Sequence, residues 1–290
     1  DDMALLGKHI HALTHSPEYA ALVGELHADG EGLSFAQRKT VEHLWERYEK
    51  GKNITEEFDH AWSVAANRAY GKWLTAKKAS DFSLFRDSLA EVVDFTRKAI
   101  DLRDEKPASY YNACLDDTEK GGSEAQMDAF FGALKERIVP LMRRIQAEGK
   151  PIREDFLTRL CPIPEQERFS HYLLEAEGLR KSALVLMTTE HPFTTEFGPH
   201  DVRVTTHYFE DNFISNIFST LHEGGHALFM QNEPEEFWRE HTAGSMTNAM
   251  HECISRFYEN IIGRSEAFIH FVYPKLQEIS GDTFSDVSER

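Results

Sequence analysis

The feature that most constrains the fold is the segment at residues 220–229, because it spaces two histidines for one face of an α-helix. The segment reads TLHEGGHALF and contains the pattern H-E-x-x-H. Positions i and i+4 of a helix share a face, so His222 and His226 can direct ring nitrogens at one metal ion. Glu223 projects about 100° around the helix from His222, which brings a water on that metal within its reach. The alternative is a pair of histidines that only pack in the core.

Two adjacent glycines, Gly224 and Gly225, lie in the middle of this predicted helix. Each glycine costs roughly 1 kcal/mol relative to alanine in a helix interior. We therefore expect another part of the protein to approach the helix backbone closely at this point. This context favours a metal site over the packing alternative.

Composition limits the class of protein. The chain has 290 residues, of which 41% are hydrophobic, and this is enough for a folded core. A formal net charge of -17 argues against nucleic acid as a partner, because phosphates require a basic surface. No apolar run approaches the roughly 20 residues of a membrane helix, and no signal-peptide pattern opens the chain. Three cysteines without C-x-x-C spacing indicate a reducing compartment, so we expect a cytoplasmic protein with no membrane association.

Helical periodicity dominates the sequence and predicts a mainly α-helical fold. The predicted helices cover residues 19–28, 35–50, 55–78, 81–102, 123–148, 153–160, 164–187, 212–231, 242–264 and 266–279. Thr55, Asp81 and Asp211 are predicted to cap helix starts, and Ser16-Pro17 is predicted to start a helix with proline at its first position. Residues 105–125 carry proline and paired glycines and are predicted to form a loop or short connections.

Residues 201–209 alternate with β-branched and aromatic side chains, which predicts a strand at one edge of a small sheet. The strand comes directly before the H-E-x-x-H helix. It could offer its edge to an extended peptide, or it could simply cover the helix. The sequence favours neither role over the other.

A catalytic zinc ion takes three protein ligands and keeps one position for water, so the two histidines need a partner. The compact extension H-E-x-x-H-x-x-G-x-x-H is excluded, because Phe229 and Asn232 occupy its glycine and third histidine positions. The downstream candidates with a carboxylate or imidazole are Glu233, Glu235, Glu236, Glu240, His241, His251, Glu252 and Glu259. Glu252 and Glu259 are seven residues apart on one helix face, and spacing does not separate them. Arg256 offers either of them an ordinary salt bridge instead.

Four ordered motifs occur between residues 188 and 265. They read HPF at 191–193, DVRVT at 201–205, HEGGH at 222–226, and HE at 251–252 followed by SRFYENIIGRS at 255–265. Together they resemble the motifs of the thermostable carboxypeptidase Taq family of metallocarboxypeptidases. The resemblance implies a multi-helix, zincin-like metallopeptidase with a small β-sheet beside the active-site helix. We expect a single, mostly helical domain over residues 1–290, with a helical scaffold at 1–187 and the metal site and cleft at 188–265.

The resemblance also implies an activity. A carboxypeptidase of this family removes C-terminal amino acids from peptides by means of water activated by zinc or cobalt. The metal ligands would correspond to His222, His226 and Glu252, with Glu223 as the general base, which selects Glu252 over Glu259. Peptide substrates and a homodimer are implied as well.

Three residues are candidates for substrate binding. His251 and Tyr258 are candidates for steadying the oxyanion or the peptide. Arg203 is the available cation for a terminal carboxylate, although an ion pair with Asp201 or Asp211 explains this residue at least as well.

The chain departs from the family pattern in two ways. The family continues His-Glu-Ser-Gln where this chain has Cys253 and Ile254 after Glu252, so we expect altered substrate contacts. Family members are also longer at both ends, and their Ile-Arg and Ala-Asp motif, whose arginine is associated with the substrate carboxylate, is not found before Arg290. We expect a fragment of a longer chain or a natural truncation. Two alternatives to an intact carboxypeptidase therefore stay open: a helical metalloendopeptidase or oligopeptidase, and a catalytically impaired metal-binding fragment.

Overall fold

The computed structural model describes residues 2–239 and 246–288. Within these ranges α-helices dominate, and three short strands form a sheet in the second half of the chain. The prediction of a mainly helical fold with a small sheet is confirmed. Contacts between residues divide the described chain into two compact units, residues 2–124 and residues 125–239 with 246–288.

The first unit is entirely helical where it has regular structure. Its helices are α1 (Asp2–Thr14), α2 (Pro17–Ala28), α3 (Phe35–Gly51), α4 (Glu56–Ala79), α5 (Ser83–Asp101) and α6 (Tyr110–Thr118). Helices α4 and α5 pack side by side, and α4 buries the small side chains Ala65, Ala69 and Ala76. Side chains of this size at four- and seven-residue spacing lie on one face of the helix and let a neighbouring helix approach closely.

Hydrogen bonds at the helix starts test the capping predictions in this unit. Thr55 accepts a bond from the first turn of α4, as predicted, and α2 starts at Pro17, as predicted. The Asp81 prediction is wrong by one residue, because Phe82 occupies the cap position of α5, although the Asp81 carboxylate accepts a bond from the backbone amide of Ser83.

The predicted loop at 105–125 is wrong in its middle, where α6 forms. Ser109 caps α6 by accepting a bond from the backbone amide of Asn112. A serine is a typical sign of a helix start, but the nearby proline and glycines favoured the prediction of a loop.

The second unit holds the remaining helices. They are α7 (Glu124–Glu148), which starts at the boundary, α8 (Ile163–Ala176), α9 (Phe213–Gln231), α10 (Glu235–Arg239), α11 (Asn248–Arg256) and α12 (Glu266–Ser280). A π-helical segment, Phe257–Ile262, connects α11 towards α12. Across the described ranges, each helix is too short or too polar to cross a membrane.

Three predicted elements of this unit are wrong. The helix predicted over 164–187 ends at Ala176, because Gly178 takes a left-handed conformation with a φ of 95° and the chain then becomes extended. Residues 153–160 form turns instead of a helix, and Arg153 and Arg159 both pair there with Asp286. Helix α9 is capped by Asn212, one residue after the predicted Asp211.

The sheet consists of β1 (Leu184–Thr188), β2 (Thr194–Glu196) and β3 (Val202–Thr206), in the order β1-β3-β2. Strand β3 runs parallel to β1 and antiparallel to β2. The predicted strand therefore exists, but it is central and not at an edge. Both sides of β3 are paired within the sheet, so it has no edge to offer to a peptide. The prediction of an edge strand is wrong because residues 184–187, predicted as the end of a helix, form part of β1.

Helix α9 is the central element of the second unit. On one side, Leu221 belongs to a buried cluster with Leu173 of α8 and Leu276 of α12. On another side, Ala227 packs with Val202 and Val204 of β3. The helix that carries the H-E-x-x-H pattern is therefore held between helices and the sheet.

A buried network of hydrogen bonds also holds α9 in one orientation. Asn216 of α9 accepts hydrogen bonds from Thr206 of β3 at 2.8 Å and from Thr220 at 3.2 Å, and its amide donates to Ser170 of α8 at 3.0 Å. All four side chains are fully or almost fully buried. Hydrogen bonds between buried groups depend on geometry, so the network fixes how α9 is placed relative to α8 and β3.

The two glycines of α9 lie where other groups approach its backbone. A methyl group added at Gly225 would lie 2.9 Å from Cα of Ser255 on α11, and one added at Gly224 would lie 1.8 Å from a carboxyl oxygen of Glu177. The expected close approach is confirmed. Gly225 allows α11 to lie directly against α9.

We expect Gly225→Ala to lower the free energy of unfolding by about 1–3 kcal/mol, because the added methyl meets backbone and overpacks the α9–α11 contact. This loss outweighs the roughly 1 kcal/mol that alanine gains over glycine within a helix. Urea unfolding followed by circular dichroism measures the difference.

The matched control is Gly132→Ala in the exposed helix α7, where the added methyl would have nothing within 4 Å. It should be neutral or stabilising by up to about 1 kcal/mol. Equal effects of the two substitutions would contradict the packing described for Gly225.

Candidate metal centre

Helix α9 presents His222 and His226 one turn apart. Their ring centroids are 5.0 Å apart, and the ring planes are inclined at 81°. Both side chains are mostly buried, with 16% and 14% of their surface exposed. Burial and the neighbouring His222 lower the pKa of His226 to about 4, so this imidazole is neutral near pH 7 and its lone pair is free for a metal.

Glu252 of α11 lies opposite the two histidines. Its carboxyl oxygens are 3.7 Å from Nε2 of His222 and 3.6 Å from Nε2 of His226. In the described chain, these three residues form the group of potential metal ligands, with ligand atoms all within 4.8 Å of one another. Atoms bound to a single tetrahedral zinc ion at 2.0–2.2 Å lie about 3.3 Å apart, so the observed spacing fits one ion.

The structure separates the two glutamates that spacing left equal. Glu252 faces the Nε2 atoms, whereas Glu259 lies 3.1 Å from Nδ1 on the other side of the His222 ring. Arg256 contacts both carboxylates, at 3.4 Å and 3.1 Å, so the salt-bridge alternative is also present. Only Glu252 shares a possible ion position with both histidines.

Four of the other candidates for the third ligand are among the described residues. Glu233, Glu235, Glu236 and His251 are not part of the group of potential ligands among the described residues. Glu240 and His241 lie outside the described residues. The described residues thus offer a His, His, Glu donor set, which is a known set for catalytic zinc.

Glu223 lies beside the histidines and is 6% exposed. Its carboxylate accepts a 2.7 Å hydrogen bond from the hydroxyl of Thr194 on β2, and the same hydroxyl lies 3.0 Å from the Glu223 carbonyl. Burial raises the pKa of Glu223, and the bond from Thr194 opposes this shift. A carboxyl group with a raised pKa takes up and releases protons more readily near neutral pH than an ordinary glutamate.

These residues line a cleft with a volume of about 1000 Å³. Its walls come from the segment before β2, from the cleft-facing side of α9, and from α11 with the residues that follow it. The residues of the four sequence motifs that line it are His191, Pro192, Phe193, His222, Glu223, His226, His251, Glu252, Arg256, Glu259 and Arg264.

The three candidate substrate residues lie in different places. His251 lines the cleft, and its ring is 5.6 Å from that of His226. Arg203 and Tyr258 are not among the described residues that line it. Arg203 instead pairs with Asp201 at 2.9 Å and lies 4.5 Å from the Phe197 ring centre, and Tyr258 lies next to Gly225. The ion pair with Asp201 is thus present, and the substrate roles stay predictions.

Thr194 is a site residue that sequence reasoning missed. It directly follows the HPF motif at 191–193, which is the signal that could have found it. Its role depends on β2, and this strand was not predicted because three residues are too few to show alternation.

The fold and the site together define a mainly helical protein with an H-E-x-x-H helix facing a cleft, and comparison with known proteins identifies the family. The model of the carboxypeptidase Taq (M32) metallopeptidase family matches residues 1–290, so the chain belongs to this family. The resemblance in the four motifs is thereby confirmed.

Named relatives give the extent of the match. Carboxypeptidase 1 of Bacillus subtilis is 34% identical over 290 residues, which cover 99% of this chain and 57% of the relative. Thermostable carboxypeptidase 1 of Pyrococcus furiosus is 35% identical over 92% of this chain and 54% of its own length. The crystal structure of the M32 carboxypeptidase of Deinococcus radiodurans matches with a TM-score of 0.86 at 28% identity. The matched region covers 99% of this chain and 57% of the Deinococcus chain. The chain thus spans somewhat more than half the length of the proteins it matches.

Glu177 is a buried carboxyl that the metal centre does not use. Both of its oxygens are buried and lack a hydrogen-bond partner among the described residues, and the side chain lies against Gly224. Burial raises the pKa of Glu177 well above 4.5. The folded state therefore keeps a proton that the unfolded state releases, and the contribution of this residue to stability is lost as the pH rises above about 4.5.

We expect the stability of Glu177→Gln, relative to the unmodified chain, to increase as the pH rises from about 5 to about 8. Glutamine has nearly the same shape and does not ionise, so the variant does not lose stability as the pH rises above the pKa of an unfolded glutamate. The relative gain is at most about 1.4 kcal/mol for each pH unit. Urea unfolding at a series of pH values measures it, and Glu148→Gln at an exposed helix end controls for the loss of one negative charge. The same pH dependence in both variants would contradict this account.

Proposed function

We propose that this chain carries the catalytic metal site of a metal-dependent carboxypeptidase, which removes C-terminal residues from peptides. One observation carries the proposal: α9 and α11 bring His222, His226 and Glu252 together around one position, with the buried Glu223 beside it in an open cleft. A site built only for structure would have no need of a cleft or of a general base. Membership of a family of carboxypeptidases supports the reaction type.

In this proposal His222, His226 and Glu252 hold the metal. When bound, a divalent ion supplies Lewis-acid polarisation of the scissile carbonyl and lowers the pKa of water towards about 7. Nitrogen and carboxylate donors in this set suit zinc, and imidazoles also accept cobalt, which supports the two ions that the family resemblance implies.

Glu223 moves the proton. Its carboxylate takes a proton from the attacking water and later gives it to the nitrogen of the leaving amino acid. Thr194 holds one oxygen of this carboxylate at 2.7 Å and so fixes the direction of the other. Burial raises the pKa of Glu223, which supports a carboxyl group that accepts the proton before passing it on.

The proposal extends to three properties that follow from the family resemblance and the composition. Peptides are the substrates, and a homodimer is the working form. All three cysteines are free, which supports a reducing, cytoplasmic location.

We expect Glu223→Gln to lower the rate of hydrolysis of an amino-blocked dipeptide by about 100-fold or more, with bound metal unchanged. Glutamine keeps the shape and the bond from Thr194 but cannot carry the proton, and general acid–base catalysis contributes about 10²–10⁴-fold. Metal content by mass spectrometry and steady-state rates measure the two effects. The exposed Glu236→Gln is the control and should keep both.

Three outcomes would contradict this proposal. Equal loss of metal and activity in Glu223→Gln would give Glu223 a structural role. A chain that binds metal yet hydrolyses no dipeptide would not be a carboxypeptidase by itself, and cleavage within a peptide blocked at its C-terminus would assign it to the endopeptidases.

A further inference from the structure

The two nitrogens of His222 face two different carboxylates. Nε2 is directed towards Glu252, 3.7 Å away, and Nδ1 is 3.1 Å from Oε2 of Glu259. Only the first of these contacts lies at the proposed metal position. The second contact is short enough for a hydrogen bond and needs its own explanation.

Glu259 reaches His222 through the π-helical segment Phe257–Ile262. The segment packs against α9, and Gly263 follows it where a methyl group would lie 2.6 Å from a side-chain carbon of Leu221. The Glu259 side chain is only 12% exposed. Single π-turns within helices occur frequently at functional sites, and this one turns a carboxylate towards α9.

Two arginines hold the Glu259 carboxylate. Arg256 contacts Oε2 at 3.1 Å and Arg264 contacts Oε1 at 3.2 Å, so each oxygen has its own guanidinium partner. Arg264 is itself fixed, because its guanidinium lies 3.7 Å from the centre of the Phe218 ring of α9 and its Nε donates to Asn260. A carboxylate held at both oxygens has little freedom to turn away from His222.

The chemistry of imidazole gives this contact a consequence. A metal-binding imidazole is neutral, with one N–H and one nitrogen lone pair. A carboxylate accepts hydrogen bonds and so selects the form in which the nitrogen facing it carries the hydrogen. With Nδ1–H directed at Glu259, the lone pair lies on Nε2, on the side of Glu252.

We propose that Glu259 is a positioning residue, which fixes His222 in the Nδ1–H form and thereby directs the Nε2 lone pair at the metal. The inference rests on the proposed metal site and adds to it a residue outside the ligand set. Arg256 and Arg264 serve this role by holding Glu259. Outer partners of this kind orient ligand histidines, and their loss costs about 10–100-fold in metal affinity.

The first test measures metal affinity. We expect Glu259→Ala to weaken zinc binding, measured by competition with a chromophoric chelator, by about 10–100-fold. Glu259→Gln keeps a carbonyl oxygen that can accept from Nδ1–H and should recover part of this loss. The control is Glu266→Ala on α12, which removes a carboxylate 3.5 Å from the ring of His270, and zinc affinity should not change.

The second test reads the hydrogen position without metal or activity. In metal-free protein labelled with ¹⁵N-histidine, long-range nitrogen–proton NMR spectra at about pH 8 should show His222 in the Nδ1–H form. The signal is assigned by its loss in His222→Gln. In Glu259→Ala we expect His222 to shift towards a mixture in which Nε2–H is populated, which an effect on folding alone would not produce.

The outcomes separate the two proposals. If the unmodified chain binds no zinc, the proposed metal site fails. If it binds zinc, and Glu259→Ala changes neither the affinity nor the His222 spectrum, the positioning role of Glu259 is overturned while the metal site stands.

Discussion

The site depends on the close contact between α9 and α11 at Gly225. A side chain larger than hydrogen at this position would meet the backbone of Ser255, three residues after Glu252. The missing side chain therefore sets the separation between the helix with two histidines and the helix with the third carboxylate. Since α9 is also fixed by the sheet, by α8 and by the Asn216 network, α11 is placed against a helix that has little freedom to shift. Gly225 lowers the intrinsic stability of the helix, but it allows the close α9–α11 contact on which the geometry of the site depends.

Three carboxylates around α9 have different surroundings, and we propose a different role for each. Glu252 is half exposed and lies opposite both Nε2 atoms. Glu223 is buried beside Thr194, where burial raises its pKa and suits it to proton transfer. Glu259 is mostly buried but contacts two arginines and Nδ1 of His222. Residue type alone does not distinguish the proposed ligand, base and positioning group, and the proposal rests on the different contacts of the three carboxylates.

Local patterns predicted much of this arrangement, and contacts between distant segments account for what they missed. The spacing of His222 and His226 predicted the helix, because helical periodicity is a local pattern. The paired glycines predicted the close approach, because they are unfavourable inside a helix unless another segment needs the space, but they did not identify Ser255 or Glu177 as the groups that approach. The strand β1 was missed because an apolar run such as LVLMT fits a buried helix as well as a strand. Without β1, the prediction placed β3 at the edge of the sheet. The choice between Glu252 and Glu259 needed the family resemblance, because it depends on which side of one imidazole ring each carboxylate reaches.

Anomalous diffraction from crystals grown with zinc, collected on both sides of the zinc absorption edge, tests the central claim most directly. We expect one strong peak between Nε2 of His222, Nε2 of His226 and the carboxylate of Glu252, at about 2.0–2.2 Å from each. Glu259 should stay hydrogen-bonded to Nδ1, outside the ligand set. A peak at another position, a peak bound by Glu259 in place of Glu252, or no peak from crystals grown with zinc in excess over the protein would contradict this account.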